Sequence, residues 1–219
     1  MSLYLFKRIA SYSPVNLPDQ LGPFKDFECI IMKIVIGQQA PDFNLTDISG
    51  AEFKLANLKG KRYLLTFYRF ASCPFCNLRL HNIINEYEKF GDNFEVVAVF
   101  DSSLENLQSY VTRHQATFPV LADENNEIHR LYQVEHSISG VVKGIVFRFP
   151  SLIISMFKGY IPWRIKGDIT GMPADFLIDE KGIVQAAYYG KDEGAHIPLH
   201  QVKQFAQRRG ELEADLVEV

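Results

Sequence analysis

The sequence predicts an α/β fold, a central mixed sheet with helices on both faces. Two runs carry this expectation. Tyr63-Leu64-Leu65-Thr66-Phe67-Tyr68 and Phe94-Glu95-Val96-Val97-Ala98-Val99-Phe100 are apolar almost throughout, as strands covered on both faces must be. Each leads into a segment with helical periodicity, and hairpin signatures stand near both ends of the chain, so strands and helices alternate.

Taken in order, Asp42-Phe43-Asn44-Leu45-Thr46 and Glu52-Phe53-Lys54-Leu55 alternate around the turn Asp47-Ile48-Ser49-Gly50, the pattern of a short edge hairpin. After the first buried strand, Cys76, Leu80, Ile83, Ile84, Tyr87 and Phe90 form one apolar stripe of a helix. After the second, Ser102-Ser103-Leu104-Glu105 reads as a capping box opening a helix with Leu104, Leu107 and Val111 on one side. Phe118-Pro119-Val120-Leu121 is extended, and residues 126–132 suit a helix. Asp175–Asp179 and Ile183–Tyr189 form a hairpin around Glu180-Lys181-Gly182, and Pro198 opens a last helix with Leu199, Val202, Phe205 and Ala206 inward. Residues 1–32, with Pro14, Pro18 and Pro23 and no period, read as an N-terminal extension to a domain spanning 33–219.

With 219 residues, 47% of them hydrophobic and 22% charged, the chain has the balance of a globular protein with one substantial core. A net charge of −3 gives no general attraction to nucleic acid. Three cysteines, Cys29, Cys73 and Cys76, do not make a disulfide framework. The N-terminus lacks the order of a signal peptide and no apolar run reaches spanning length, so a cytoplasmic protein is expected.

The chemistry points to Cys73-Pro74-Phe75-Cys76, set where a central strand turns into a helix. That spacing brings two sulfurs together, and the unpaired N–H groups and dipole of a helix N-terminus favour a thiolate. Pro74 suits the first turn because its missing N–H would be unpaired there anyway. The competing reading, a structural zinc site, has only Cys29 and six histidines to complete four ligands, and His196 and His200 are interrupted by Pro198. Two merely buried thiols are the other alternative. No metal and no cofactor are expected.

Gly37-Gln38-Gln39-Ala40-Pro41-Asp42-Phe43, Leu58-Lys59-Gly60-Lys61, Phe67-Tyr68-Arg69 before the cysteines, Pro119-Val120-Leu121-Ala122-Asp123 and Phe176-Leu177-Ile178-Asp179-Glu180-Lys181-Gly182 form an ordered set. It resembles the alkyl hydroperoxide reductase and thiol-specific antioxidant (AhpC/TSA) family over about residues 33–205. The resemblance implies a thioredoxin-like fold and a cysteine-dependent antioxidant or disulfide-reducing activity. Laid on the peroxiredoxin pattern Pro-x-x-x-Thr-x-x-Cys, Arg69 takes the proline position, Cys73 the threonine position and Cys76 the peroxide-attacking position. Met172-Pro173 stand before the apolar strand where peroxiredoxins place an arginine and thioredoxins a cis-proline. The resemblance therefore implies a peroxiredoxin-like protein with a thioredoxin-style site: a cis Met172–Pro173 bond lying against the cysteine turn, with Met172 and Pro173 as substrate-binding residues.

The reading is a thiol-dependent oxidoreductase that cycles Cys73 and Cys76 between dithiol and disulfide, takes a disulfide or peroxide as substrate, and is restored by an external thiol reductant. Two routes stay open: in exchange the solvent-facing Cys73 attacks and the more buried Cys76 resolves, and in a peroxidase Cys76 becomes a sulfenic acid that Cys73 captures; Cys73 is favoured as the attacker. Arg69 and Arg79 flank the motif but are left as surface charges, the commoner role of arginine. Between Glu135 and Asp168 there is no acidic residue, while Lys143, Arg148, Lys158, Arg164 and Lys166 alternate with apolar residues. This insertion, about residues 137–168, gives the rival class: a non-catalytic binding module docking through 136–167. That module would dock on a membrane surface or a partner; the segment's favoured reading is an insertion packed over the sheet or at a homodimer contact, ahead of a weak contact with an anionic membrane surface.

Overall fold

A computed structural model describes residues 33–137, 139, 148–160 and 169–207. Cys29, the extension 1–32 and most of the insertion's basic residues lie outside them.

Seven strands form one sheet in the order β2-β1-β5-β4-β3-β6-β7. The strands are β1 (Asn44–Asp47), β2 (Glu52–Lys54), β3 (Arg62–Tyr68), β4 (Phe94–Phe100), β5 (Val120–Ala122), β6 (Ala174–Ile178) and β7 (Val184–Tyr189). β3, β4 and β5 run parallel, while β6 and β7 complete the sheet antiparallel on one side and β1 and β2 on the other. The mixed sheet thus matches the sequence expectation. The first hairpin supplies one edge through β2 alone, because β1 also pairs with β5.

Alternation along β3 divides the core. Leu64 and Tyr68 face α1 (Pro74–Glu86), α2 (Leu104–Val111) and α5 (Leu199–Gln207), packing with Leu80, Ile83, Leu107, Val202 and Phe205. Tyr63, Leu65 and Phe67 face the other way, where Ile128 of α3 (Glu127–Leu131) joins Tyr132, Phe176 and Val184. Leu64, Leu65, Phe67, Val96, Val97 and Val99 are completely buried; each such side chain removed from water contributes about 1.5–3 kcal/mol. The unbroken apolar runs therefore reflect strands covered from two sides.

Two helix boundaries differ from the sequence pattern. α1 stops at Glu86 and the stripe continues through a tighter 3-10 turn, Tyr87–Phe90, ended by Gly91 at φ 86°. α2 is capped by Ser103, whose Oγ accepts from the N–H of Asn106; Ser102 instead accepts from the Asn106 side chain. The box expected between Ser102 and Glu105 is displaced by one residue, because Asn106 can serve both serines.

The insertion contains a helix, α4 (Phe149–Phe157), which packs against α1. Its sequence pattern was masked by Pro150, which sits harmlessly in the first turn. None of the described helices is long and apolar enough to cross a membrane.

Candidate active site

β3 ends at Tyr68 and the chain turns through Arg69–Ser72 into α1, so the motif falls on the first turn of a helix rising from the centre of the sheet. Cys73 is the N-cap: its Sγ accepts from the Cys76 N–H at 3.5 Å. A sulfur is a weak acceptor, so this cap is worth most when the sulfur is a thiolate. Asn77, completely buried one residue on, steadies the turn. Its amide donates to the carbonyls of Ala71 (2.7 Å) and Cys73 (2.9 Å), and its Oδ1 meets His114 Nε2 at 2.8 Å.

Both sulfurs are free thiols and both are fully buried. The expectation that Cys73 faces solvent is therefore corrected: charge and hydrogen bonds, rather than water, favour its thiolate. Arg69 is 3% exposed. Its Nη1 lies 3.8 Å from Cys73 Sγ and donates to Glu193 Oε1 at 2.7 Å, while Nη2 donates to the Ile169 carbonyl. Burial pushes the Cys73 thiol up, but the Cys76 thiol hydrogen bond and the Arg69 charge overcome it and leave the pKa below the usual thiol value. Burial, followed by the neighbouring Cys73, pushes Cys76 well above it. The two shifts run in opposite directions, so Cys73 is the sulfur that gives up its proton first and Cys76 the one that keeps it.

Met172 and Pro173 are placed differently from the expectation. No peptide bond among the described residues is cis, so Met172–Pro173 is trans. The Met172 N–H donates to the Glu135 carbonyl at 2.8 Å and the Pro173 carbonyl accepts from Gly190 at 2.8 Å. The chain returning from the insertion forms an antiparallel bridge, His136 with Gly171. These groups are spent within the chain, which removes the thioredoxin-style ground for assigning them to substrate.

Under α1 lies a polar cluster the sequence reading missed. Asp175 stands opposite Thr66 in the β3–β6 register and is completely buried. Its Oδ1 accepts from Thr66 Oγ1 (2.6 Å) and meets His196 Nδ1 (3.0 Å), and its Oδ2 accepts from the Ile197 N–H (2.7 Å) with Arg79 Nη2 at 3.7 Å. Burial raises the Asp175 pKa, but His196, Arg79 and Thr66 together hold it below the usual carboxylate range. An aspartate inside the apolar run Ala174–Ile178 was the legible signal, since a buried charge demands partners. Nothing in the loop sequence singles out Glu193, and the sequence raises His196 only as half of a zinc pair with His200 interrupted by Pro198. Among the described residues, no group of three or more His, Cys, Asp or Glu side chains is arranged to hold a metal ion.

The AhpC/TSA family model matches residues 36–187. A putative peroxiredoxin bcp of Helicobacter pylori is 31% identical over 104 residues, covering 46% of this chain and 67% of that protein. The thiol-disulfide oxidoreductase ResA of Bacillus cereus is 30% identical over 115 residues, covering 52% and 64%. Among solved structures, peroxidoxin BcpB of Mycobacterium tuberculosis superposes with a TM-score of 0.57 at 15% identity, over 80% of this chain and 97% of that one, a likeness of fold. On the family match across most of its length, with peroxiredoxins and thiol-disulfide oxidoreductases as relatives, the chain belongs to the AhpC/TSA family and is a thiol-dependent oxidoreductase.

Proposed function

We propose that the enzyme works through a Cys73–Cys76 dithiol–disulfide cycle in which Cys73 attacks and Cys76 resolves. The observation that carries this is the opposite direction of the two shifts: Arg69 at 3.8 Å and the Cys76 N–H both favour a Cys73 thiolate, whereas Cys76 is held protonated. The thiolate is the nucleophile in attack on a disulfide sulfur or a peroxide oxygen. The depressed member is the first cysteine, the order that suits disulfide exchange; a peroxidase using Cys76 would need the opposite order. A separate thiol reductant restores the dithiol, and a reducing location such as the cytoplasm suits a chain whose three cysteines make no disulfide framework.

Both sulfurs are fully buried, so attack on a substrate requires the chain around them to open. The deciding experiment adds peroxide and, separately, a disulfide to the reduced protein, using Cys73→Ser and Cys76→Ser as controls. Exchange by Cys73 predicts a trapped mixed disulfide in Cys76→Ser. A sulfenic acid at Cys76 in Cys73→Ser would replace this reading with the peroxidase one.

The outer face of α4 supports a second contact. Phe149, Ile153, Ile154, Met156 and Phe157 are exposed, Phe157 at 89%, next to Lys158, and residues 136–167 carry no acidic side chain. Apolar exposure within a purely basic stretch matches an anionic membrane surface better than a second copy, whose identical positive charge would repel it.

A further inference from the structure

Beside the cysteine motif, a cavity of about 280 Å³ lies between α1, the start of α4 and the loop after β7. α1 presents Phe75, Arg79 and Asn82 to it, spaced i, i+4 and i+7 and so sharing one face of the helix. Phe75 stands between the two cysteines in the chain, so this face begins in the motif's first turn. Arg148 and Ser151 come from the cap and first turn of α4, and His196 from the loop. Gly194 lets Arg148 lie there, because a Cβ on that glycine would meet Arg148 Cδ at 2.9 Å. Among the described residues no acidic side chain lines the cavity. The two arginines are only partly engaged. Asp192 takes Nε and Nη2 of Arg148 (2.5 and 3.3 Å), and Nη1 has no part in that pair. Arg79 Nη2 donates to the Ile197 carbonyl (2.7 Å) and lies 3.7 Å from Asp175, while its buried Nε has no hydrogen-bond partner. His196, its side chain 3% exposed, turns Nδ1 to Asp175 and leaves Nε2 buried and unpartnered. Unpaired buried nitrogens are costly, and both belong to residues that wall one cationic cavity.

In a proposal that rests on the Cys73–Cys76 cycle, we propose that this cavity is a substrate subsite for a carboxylate, and that the substrate class is a small disulfide carrying carboxylate groups near its sulfurs. A carboxylate matches the paired N–H donors of a guanidinium, and the cavity suits one arm of a small molecule rather than a length of chain. His196 donates from Nε2 once its ring takes a second proton. The bound anion and Asp175 favour that proton and offset Arg79 and Arg148, which together with burial oppose it. Tyr68, whose ring packs on His196, stays neutral because burial raises its pKa. With the carboxylate held, the Cys73 thiolate attacks one substrate sulfur, the S–S bond breaks and the first substrate thiolate leaves. The Cys76 sulfur then displaces the second from Cys73. The two cysteine thiols are oxidised to a disulfide and the substrate disulfide is reduced to two thiols, whose protons balance those the cysteines release.

Three small disulfides test this on the reduced protein: dithiodipropionate, a dicarboxylate; hydroxyethyl disulfide, which is neutral; and cystamine, a diamine. Each rate of protein oxidation is divided by the rate of the same disulfide with free dithiothreitol, which removes intrinsic reactivity. The dicarboxylate should then lead the neutral compound by about tenfold, with the diamine slowest. Ser151→Asp places an acid in the cavity at a helix start, where it suits the dipole; it should abolish the preference and leave the neutral disulfide's rate unchanged. Arg148→Gln should weaken the preference in the same way. Equal normalised rates in the unaltered protein, or a preference that survives both substitutions, overturns the proposal. Calorimetric titration with suberate, the sulfur-free dicarboxylate of the same chain length, separates the subsite from the cycle. Suberate binding that falls about tenfold in Ser151→Asp supports the subsite even where no disulfide reacts, and then it is the dithiol cycle that fails. Absence of suberate binding overturns the subsite.

Discussion

At the scale of single residues, two charges of opposite effect adjust Cys73 on top of its burial and its hydrogen bond with Cys76. Arg69 lowers the thiol pKa and Glu193, held 2.7 Å from Arg69, raises it. Glu193→Gln keeps a hydrogen bond to Arg69 and removes the negative charge, so the alkylation midpoint of Cys73 should fall. Arg69→Gln should raise it by about one pH unit or more; alkylation rate against pH checks both, and equal shifts of one sign would show that the pair acts only through packing. A third residue sets a pH dependence of stability. His114 is depressed by burial, then Arg113 and His81, to about 4. Its unfolded value is the usual one near 6.5, so between those values the unfolded chain binds the extra proton and stability falls as pH drops from about 6.5 towards 4. His196, also depressed chiefly by burial, adds the same sign. Denaturant midpoints at pH 7 and 5 should therefore differ, and His114→Gln, which can still donate to Asn77, should reduce the difference without abolishing it.

At the scale of the element, the first turn of α1 depends on a side chain with no redox chemistry. Asn77 serves the carbonyls of Ala71 and Cys73, and through His114 it links the turn to the end of α2. Asn77→Leu keeps the volume and leaves those buried groups unsatisfied, which should cost about 2–4 kcal/mol in unfolding free energy. Urea melts measure the loss. The same change loosens the cap that aligns the Cys76 N–H with Cys73 Sγ, so the Cys73 alkylation midpoint should also rise; a midpoint that stays put while stability falls would separate the clamp from the chemistry.

At the scale of the whole molecule, the exposed face of α4 predicts association with vesicles containing anionic lipid, weaker on neutral vesicles and weakened by salt, because exposed charges are screened over about 8 Å at physiological ionic strength. Phe157→Glu, at a side chain that touches little else, should reduce co-sedimentation several-fold and leave the fold intact. Equal binding to neutral and anionic vesicles would remove the electrostatic part. A dimer in sedimentation that this substitution dissociates would assign the face to a second copy.

Local pattern determined the sheet strands, the helix after the motif and the position of Cys73 and Cys76, because apolar runs, helical stripes and turn residues act over neighbouring positions. The ordered motifs likewise carried the family. Tertiary structure alone decided the rest. Arg69 became part of the site because Glu193 and Ile169, 124 and 100 positions away, close over it, and Asp175 because the β6 register sets it opposite Thr66. Met172–Pro173 is trans with its neighbouring backbone groups engaged by Glu135 and Gly190, pairings made across the fold. Both thiols are fully buried, which the local pattern did not show for Cys73. Charge partners, pKa values and burial depend on what distant chain brings within a few ångströms, and no local period encodes that distance.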